Sequence, residues 1–512
     1  MKASLSRRTA DCKRRIERRL ERKNILVVRE RPVFSGDGID YQVAGRTRGI
    51  AAGGLGAMQL LVRSVGLAES IDKRVHVLKR HLPYHESDHV LNIAYNLLAG
   101  GTCLEHIELL RNDEVFLDAL GVQSIPDPTT AGDFCRRFSE ANIQALMNAV
   151  NECRLKVWQQ QPPEFFEEAL IDADGTLVET TGECKQGIDI SYNGKWGYHA
   201  LLVSLANTGE PLYIVNRSGN RPSHEGAAAY FDRAAALCRR AGFGKVTFRG
   251  DTDFTQTKEL DRWDEEGLGF LFGADSTSSA RLEVELLENK AWERLERPPK
   301  HIVKTKPRSR PDNVKEQIVI RRQFKNVRLQ SEDVAEFLYS PSACREAYRM
   351  IVVRKNLSVA RGEAVLFDDV RYFFYLTNDW DTPAEKLVLK ANGRCNQEKT
   401  IGQHKNDICS LRAPLDTLES NWAYMVIASL AGTLKIWSAL LLPETGRWKD
   451  KHRREKQMVL KMDFSTFRNA FVQIPCQIVK TGRRLVYRLL SWNPWQHVFL
   501  RLVQRLHGWQ LG

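Results

Sequence analysis

The sequence A-L-I-D-A-D-G-T at residues 169–176 decides the fold expected for this chain. An apolar run ends in Asp172 and Asp174, and the glycine after them is expected to stop a β-strand. Side chains two residues apart lie on the same face of a strand, so both carboxylates should point the same way at its carboxyl end. Aspartate is also a common turn residue at strand ends, and for this stretch alone that alternative stays open.

A second stretch repeats this arrangement. Residues 245–254 read K-V-T-F-R-G-D-T-D-F and place Asp251 and Asp253 after another short strand. Two strands that each bring a carboxylate to one edge of a sheet build the kind of oxygen-ligand site that Mg²⁺ prefers. The two stretches together therefore predict a magnesium site.

The residues around both stretches predict an α/β protein with an RNase H-like catalytic core. Three consecutive strands, with the last two joined by a tight turn, precede a helix, a strand, a helix and a final strand. The predicted elements are strands at 168–180, 196–206 and 210–216, a helix from Ser223 to Arg240, a strand at 245–250, a helix at 255–266 and a strand from Gly269 to Phe272.

Outward from this core the chain divides into six predicted segments, with helical regions at both ends and a mostly β insertion inside the core. The insertion is indicated by a basic stretch near residue 300 that contains several prolines, and by the strand-like runs that follow it. The segments are a basic arm at 1–45, a helical DNA-binding domain at 46–163, the first part of the core at 164–274, the insertion at 275–390, the second part of the core at 391–445, and a basic helical region at 446–512.

Composition and local sequence favour a cytoplasmic protein. The ten cysteines form no CxxC pair and no zinc-site spacing, so they are expected to be reduced thiols. The basic N-terminus is followed by no apolar segment of the length of a signal-peptide h-region, so no secretory signal is expected. The most apolar segment, Tyr424 to Leu442, is interrupted by Lys435 and is expected to be a buried helix and not a membrane span.

Positive charge is concentrated in three clusters. The net charge is +13, and Lys and Arg outnumber acids by ten to three in residues 1–23, eleven to two in residues 297–328 and fourteen to three in residues 447–512. The rest of the chain is acidic overall. Such clustering is typical of proteins that bind a polyanion, and DNA is the expected partner; solvated basic faces are the alternative.

A third acid lies between two cations. Arg394, Glu398 and Lys405 are spaced by four and seven residues, which would place all three on one face of a helix. This spacing suits an ordinary salt-bridged surface. It equally suits a helix whose carboxylate binds a metal while its cations hold phosphates.

With these residues the chain resembles the DDE transposases of bacterial insertion sequences, and most of all the insertion-sequence 1380-like group. L-I-D-A-D-G-T, F-R-G-D-T-D-F and G-R-C-N-Q-E-K-T-I-G-Q-H-K-N-D occur in the family's order, with a long insertion before the third. The third contains R-x3-E-x6-K of the family's Tyr-Arg-Glu-Lys signature, but the Tyr position is Ala391 here. The resemblance implies a metal-binding catalytic triad of Asp174, Asp251 and Glu398, with Arg394 and Lys405 on DNA phosphates; Asp172 and Asp253 are second candidates.

The resemblance also implies a mechanism and partners. Two Mg²⁺ ions, for which Mn²⁺ can substitute, would lie about 3.5–4 Å apart across the scissile phosphate. Water would cut the element end, and the exposed 3′-hydroxyl would attack target DNA. Both ends must be joined together, which implies a homodimer acting on DNA, without a membrane, at the bacterial nucleoid in the cytoplasm.

Three alternatives remain open from the sequence. D-A-D-G-T-L-V also resembles the first motif of haloacid-dehalogenase-like phosphatases, which would make Asp172 a covalent nucleophile and Asp174 its helper. Against it, the later motif of that family wants an acid four residues after Asp251, where this chain has Thr255. A catalytically decayed DNA-binding protein and a nuclease on the same fold would share the acids and the basic clusters.

Overall fold

The computed structural model describes residues 2–21, 41, 48–81, 83–298, 312–361, 364–481 and 484–508. The first third of the chain is helical, as expected for residues 50–160, and residues 2–21 also form a helix. Its elements are α1 (Lys2–Glu21), β1 (Gly49–Ile50), α2 (Leu55–Val65), α3 (Leu67–Arg74), α4 (Glu86–Ala99), α5 (Ile107–Arg111), α6 (Glu114–Leu120), α7 (Pro128–Arg136) and α8 (Glu140–Trp158).

The middle of the chain alternates strands with helices. Its elements are β2 (Glu168–Glu179), β3 (Asp189–Ile190), β4 (Trp196–Leu205), β5 (Glu210–Val215), α9 (Ala227–Ala241), β6 (Lys245–Gly250), α10 (Leu260–Glu265), β7 (Gly269–Ala274), α11 (Ser278–Leu286), β8 (Glu293–Arg294), α12 (Val314–Arg321), β9 (Lys325–Tyr339), β10 (Tyr348–Arg361), β11 (Ala364–Thr377) and α13 (Ala384–Asn392).

The last part of the chain is mainly helical. Its elements are α14 (Cys395–Asn406), α15 (Leu418–Leu440), α16 (Lys449–Lys461), α17 (Phe464–Phe467), β12 (Cys476–Thr481), β13 (Arg484–Leu489) and α18 (Gln496–Gly508).

The described residues form two compact units. The first contains those within Met1–Gln161, Cys184–Gln186 and Gln403–Gly512, and the second those within Pro162–Glu183 and Gly187–Gly402. The predicted six-segment division, with its functional assignments, remains a prediction.

In the first unit, α15 forms the centre of the helical core. It is long and apolar enough to cross a membrane, yet every residue from Ser420 to Leu440 is buried, as expected for this segment. The expectation that the C-terminal tail is entirely helical is wrong, because β12 and β13 form a hairpin that pairs with β1. All ten cysteines are free thiols.

The second unit is built on a large mixed sheet. Its strand order is β3-β4-β2-β6-β7-β11-β10-β9-β8, with β5 paired to β4. Strands β2, β6 and β7 run parallel, whereas β4 is antiparallel to β2 and β5 is antiparallel to β4. The strands of the predicted insertion continue this same sheet through β11, which pairs with β7.

Two local expectations for this unit are wrong. Strand β2 does not stop at Gly175 but continues to Glu179, which agrees with the strand predicted at 168–180, because β4 pairs with it from Ile171 to Glu179. A Cβ at Gly175 would lie 2.4 Å from the His199 ring, so the glycine is needed for close packing and not for a strand end. Ser223 does not cap α9, which begins after Gly226 in a left-handed conformation.

A cluster of aromatic rings packs α9 and α10 against the parallel strands. The Trp263 ring lies 4.9 Å from that of Phe248 and 5.8 Å from that of Phe231, and its indole nitrogen donates a 2.7 Å hydrogen bond to Asp232. Trp263 is fully buried. This packing fixes β6, and with it the position of the residue that follows, Asp251.

We expect Trp263→Ala to lower the free energy of unfolding by about 3–5 kcal/mol, because it opens a cavity and removes the partner of a carboxylate. Urea titration followed by circular dichroism measures this. Trp380→Ala is the control, since Trp380 is 55% exposed and its loss should cost less than about 0.5 kcal/mol. Equal losses in the two variants would contradict the assigned packing.

Candidate active site

Asp172 is held in a buried ion pair. Both of its carboxylate oxygens accept hydrogen bonds from Arg249, at 2.7 and 2.8 Å. The two side chains are 1% and 4% exposed. Burial raises the pKa of Asp172, although the hydrogen bonds from Arg249 oppose the shift. A carboxylate with both oxygens engaged and no access to solvent is a structural group.

The same arginine fixes the end of α13 against the sheet. Arg249 Nη1 donates a 2.6 Å hydrogen bond to the carbonyl oxygen of Lys390, in the last turn of that helix. Lys390 Nζ in turn lies 2.7 Å from Glu168 on β2. A Cβ on Gly393 would lie 2.9 Å from Arg249 Nη1, so glycine permits this close approach. The chain after α13 therefore starts beside β2 and β6.

Asp174 and Asp251 lie near each other where the pairing of β2 with β6 ends. The last parallel pair is Asp172 with Arg249, and each acid follows two residues later in the chain. Strand β6 ends at Gly250, and the Asp251 carboxylate caps the turn that follows by accepting a 3.1 Å hydrogen bond from the Asp253 backbone. Asp253 itself is exposed.

Glu398 reaches the same region from α14. The neighbouring Gln397 side chain donates a 3.2 Å hydrogen bond to the Leu202 carbonyl oxygen, and Leu202 is the residue of β4 paired with Asp174. Gln397 is buried and Glu398 exposed. Gln397 therefore holds the first turn of α14 against the strand that carries Asp174.

The charges of these groups act on one another. The pKa of Asp174 is raised to about 6, mainly by burial and also by the charges of Asp251 and Glu398, while Arg394 opposes the shift. Burial also raises the pKa of Asp251, again opposed by Arg394. Three carboxylates thus share one electrostatic environment, and that environment favours a positive charge.

Arg394 supplies positive charge to this cluster. Its Nη1 lies 3.6 Å from Asp251 Oδ2, and both side chains are partly exposed. Within the described ranges, no three His, Cys, Asp or Glu side chains are close enough together to hold a metal ion. The acids are therefore coupled through their charges without being at ligand distance, and an arginine lies among them.

The remaining predicted residues lie as follows. Arg394 does not lie inside α14 but in the turn between α13 and α14, one residue before that helix starts. Its carbonyl oxygen accepts a 2.8 Å hydrogen bond from the Gln397 backbone. Lys405 lies in the last turn of α14 and is partly buried. Ala391, at the family's Tyr position, is buried in the apolar cluster beneath α13.

Sequence reasoning missed Arg249 and Gln397, the two residues that position the acids. Arg249 carried a signal, since it is a lone cation in the apolar run V-T-F-R-G and a buried strand needs a partner for such a charge. Gln397 carried none. The phosphatase alternative finds no support in the geometry, because the required nucleophile, Asp172, has both oxygens bound to Arg249.

The chain matches the family described as Transposase DDE domain group 1 over residues 35–510. None of the curated proteins compared with the chain matches it. Among solved structures it is similar to a piggyBac transposase in a synaptic complex with hairpin DNA, at 11% identity, with 82% of each chain covered and a TM-score of 0.36.

We expect Arg249→Met to lower the free energy of unfolding by about 3–5 kcal/mol, because it leaves the Asp172 charge buried without a partner. The double variant Asp172→Leu/Arg249→Met removes both charges and should be more stable than the single variant. Urea titration of the three proteins measures both differences. A single variant as stable as the wild type would mean that the pair is not buried.

Stability without divalent ions should depend on Asp174. A raised pKa means that the folded protein keeps a proton that the unfolded chain has released, so stability falls as the pH rises from about 4 to about 6. In Asp174→Asn the free energy of unfolding should fall less over this pH range, by up to about 2 kcal/mol. Above about pH 7 the variant should therefore melt at a higher temperature than the wild type.

Melting temperatures in EDTA across this pH range test the expectation. Asp381→Asn is the control, because Asp381 is exposed and should leave the wild-type profile unchanged. Identical profiles for Asp174→Asn and the wild type would show that the Asp174 carboxylate is not buried beside other acids.

Proposed function

This chain belongs to the DDE transposase family described as Transposase DDE domain group 1, and on that premise we propose that it cuts the ends of a mobile DNA element and joins them to target DNA. The observation that supports the proposal is that the strand register and the Gln397–Leu202 hydrogen bond bring the segments carrying Asp174, Asp251 and Glu398 into the same part of the sheet. The basic clusters give the chain charge suited to binding DNA. Within the family, the insertion-sequence 1380-like group in bacteria is the proposed origin.

The catalytic core is proposed to be RNase H-like. Strands β5, β4 and β2 form an antiparallel set, and β6 and β7 extend it in parallel on the other side of β2. Helix α9 lies between β5 and β6 in the chain, and α10 between β6 and β7. This order supports the proposal, and the carboxylates then lie on the two central strands, β2 and β6.

We propose Mg²⁺ as the cofactor, with two ions and with Mn²⁺ as a substitute. Carboxylate oxygens are the ligands that these ions prefer. Burial is the main cause of the raised pKa of Asp174, and the charges of Asp251 and Glu398 add to it. Asp174, Asp251 and Glu398 would hold the ions, which when bound would activate a hydroxyl nucleophile and stabilise the leaving oxygen. We propose Asp174 and not Asp172 as the metal ligand because Asp172 is already engaged in a buried ion pair with Arg249.

The other residues of the site are proposed to act on the substrate. Arg394 and Lys405 would bind phosphates of the DNA backbone, for which guanidinium and ammonium groups are suited. Asp172 and Arg249 would keep α13, the helix that precedes the one carrying Glu398, in position. The partners are element ends and target DNA, and the active form is proposed to be a homodimer at the nucleoid in the bacterial cytoplasm.

A cleavage assay tests this function. The purified chain is incubated with Mg²⁺ and a duplex that carries a terminal inverted repeat from the DNA flanking its gene. Loss of a metal ligand should lower activity at least as much as loss of a residue that only hydrogen-bonds to a ligand, which costs up to about a hundredfold. We therefore expect cleavage to fall at least about a hundredfold in each of Asp174→Asn, Asp251→Asn and Glu398→Gln. Asp253→Asn should retain most cleavage, because Asp253 is exposed beside the site.

Binding of the same duplex, measured by fluorescence anisotropy, keeps the outcomes separate. Variants that bind the duplex but do not cut it support the triad. Variants of all three acids that cut at the wild-type rate would refute it. A wild-type chain that binds the duplex but never cuts it with Mg²⁺ or Mn²⁺ is a decayed DNA-binding protein, whereas cutting without strand transfer indicates a nuclease.

A further inference from the structure

A three-stranded arm extends beyond the rest of the sheet in the second unit. Strand β11 pairs with β7 only from Phe374 to Thr377, whereas its residues from Ala364 to Phe373 pair with β10 alone. Strands β10 and β9 remain paired over the same distance, as far as Arg361 and Lys325. We call these outer parts of β9, β10 and β11 the arm.

The arm projects from the edge of the sheet at which the acids lie. Strand β6 pairs with β7 up to Gly250 and Phe272, so Asp251 lies level with Gly273. Gly273 pairs with Tyr375, and Tyr375 pairs with Ile351. From this level the arm continues outward, in the direction in which β6 ends.

The length of the arm follows from the strand geometry. Strand β10 continues from Ile351 to Arg361, and about ten residues at about 3.3 Å each extend for about 33 Å. One turn of B-DNA is about 34–36 Å, or about 10 base pairs. The end of the arm therefore lies about one turn of duplex away from the level of the acids.

The end of the arm is basic and exposed. Arg321 and Arg322 close α12, and Lys325 opens β9 beside Arg361; all four are exposed. Arg361 Nε donates a 3.1 Å hydrogen bond to the carbonyl oxygen of Gln323, which ties the α12–β9 turn to the end of β10.

Basic side chains are in excess near the end of the arm. No acid occurs in the sequence from Gln317 to Ser331. Further back, β11 carries Asp368 and Asp369 opposite Ser358 and Leu357, and Glu316 of α12 and Asp369 each form an ion pair with an arginine. A second copy of the same surface would place like charges together, so the chemistry favours a polyanion over self-association.

We infer that the end of the arm, formed by Arg321, Arg322, Lys325 and Arg361, binds the phosphate backbone of duplex DNA about one helical turn from the phosphate that is cut. This inference rests on the proposed function and adds a second contact, which would set the direction in which the duplex leaves the site. Backbone contacts of this kind fix position without reading sequence.

The test uses the full chain and the terminal-repeat duplex, with hydroxyl-radical footprinting and anisotropy. The wild type should protect the backbone at the cleavage position and again about 10 base pairs away. Arg321→Ala/Arg322→Ala should lose only the second protected region. Its affinity should fall about tenfold or more, and the slope of log K against log salt should become shallower by about 2, because two phosphate contacts are lost.

Arg345→Ala is the matched control. Arg345 is 74% exposed and lies in the turn that joins β9 to β10 at the opposite end of the same strands. This variant should keep both protected regions and the wild-type salt slope.

Two results would overturn the inference while leaving the proposed function intact. One is an unchanged footprint and salt slope in Arg321→Ala/Arg322→Ala. The other is a change of oligomeric state in that variant, seen by light scattering, with the distant protected region retained. A wild-type chain without protection at the cleavage position would instead count against the proposed function itself.

Discussion

The buried pair of Asp172 and Arg249 is the constraint on which the site depends. It joins β2 to β6 side by side in the sheet interior, and the same arginine binds the last turn of α13. One guanidinium thus connects the strands of the first two acids to the helix that precedes the third. Burying a charge pair costs solvation free energy, so the pair need not stabilise the fold. Here it positions these elements relative to one another, and loss of either partner would leave the other charge buried without a partner.

Asp174, Asp251 and Glu398 are coupled through their charges without being at ligand distance from one another. Arg394 provides positive charge among them, 3.6 Å from Asp251. Such crowding lowers stability, and clusters of this kind occur where a protein needs to bind cations or reacting groups. The basic end of the arm would contact the same DNA at a second point, farther from the acids.

Some of this could be read from the sequence, and the reasons for the failures are physical. Strand β6 ends where its pattern predicts, because a short apolar run between polar residues has little freedom. The strand end predicted at Gly175 is wrong because this glycine makes room for the His199 ring, which is distant in sequence. The hairpin near the C-terminus was not predicted, and the strand it pairs with, Gly49–Ile50, has only two residues. The family resemblance favours Asp174 over Asp172, but the physical reason lies in the structure, where Arg249 binds both carboxylate oxygens of Asp172.

The central claim is that Asp174, Asp251 and Glu398 hold shared divalent cations when DNA is bound. The most direct measurement is an anomalous difference map from crystals of the chain grown with the terminal-repeat duplex and Mn²⁺. The account predicts peaks within about 2–2.5 Å of oxygens from all three carboxylates, with Arg394 moved onto a phosphate. Mn²⁺ bound elsewhere on the chain, with these carboxylates still apart around Arg394, would contradict it.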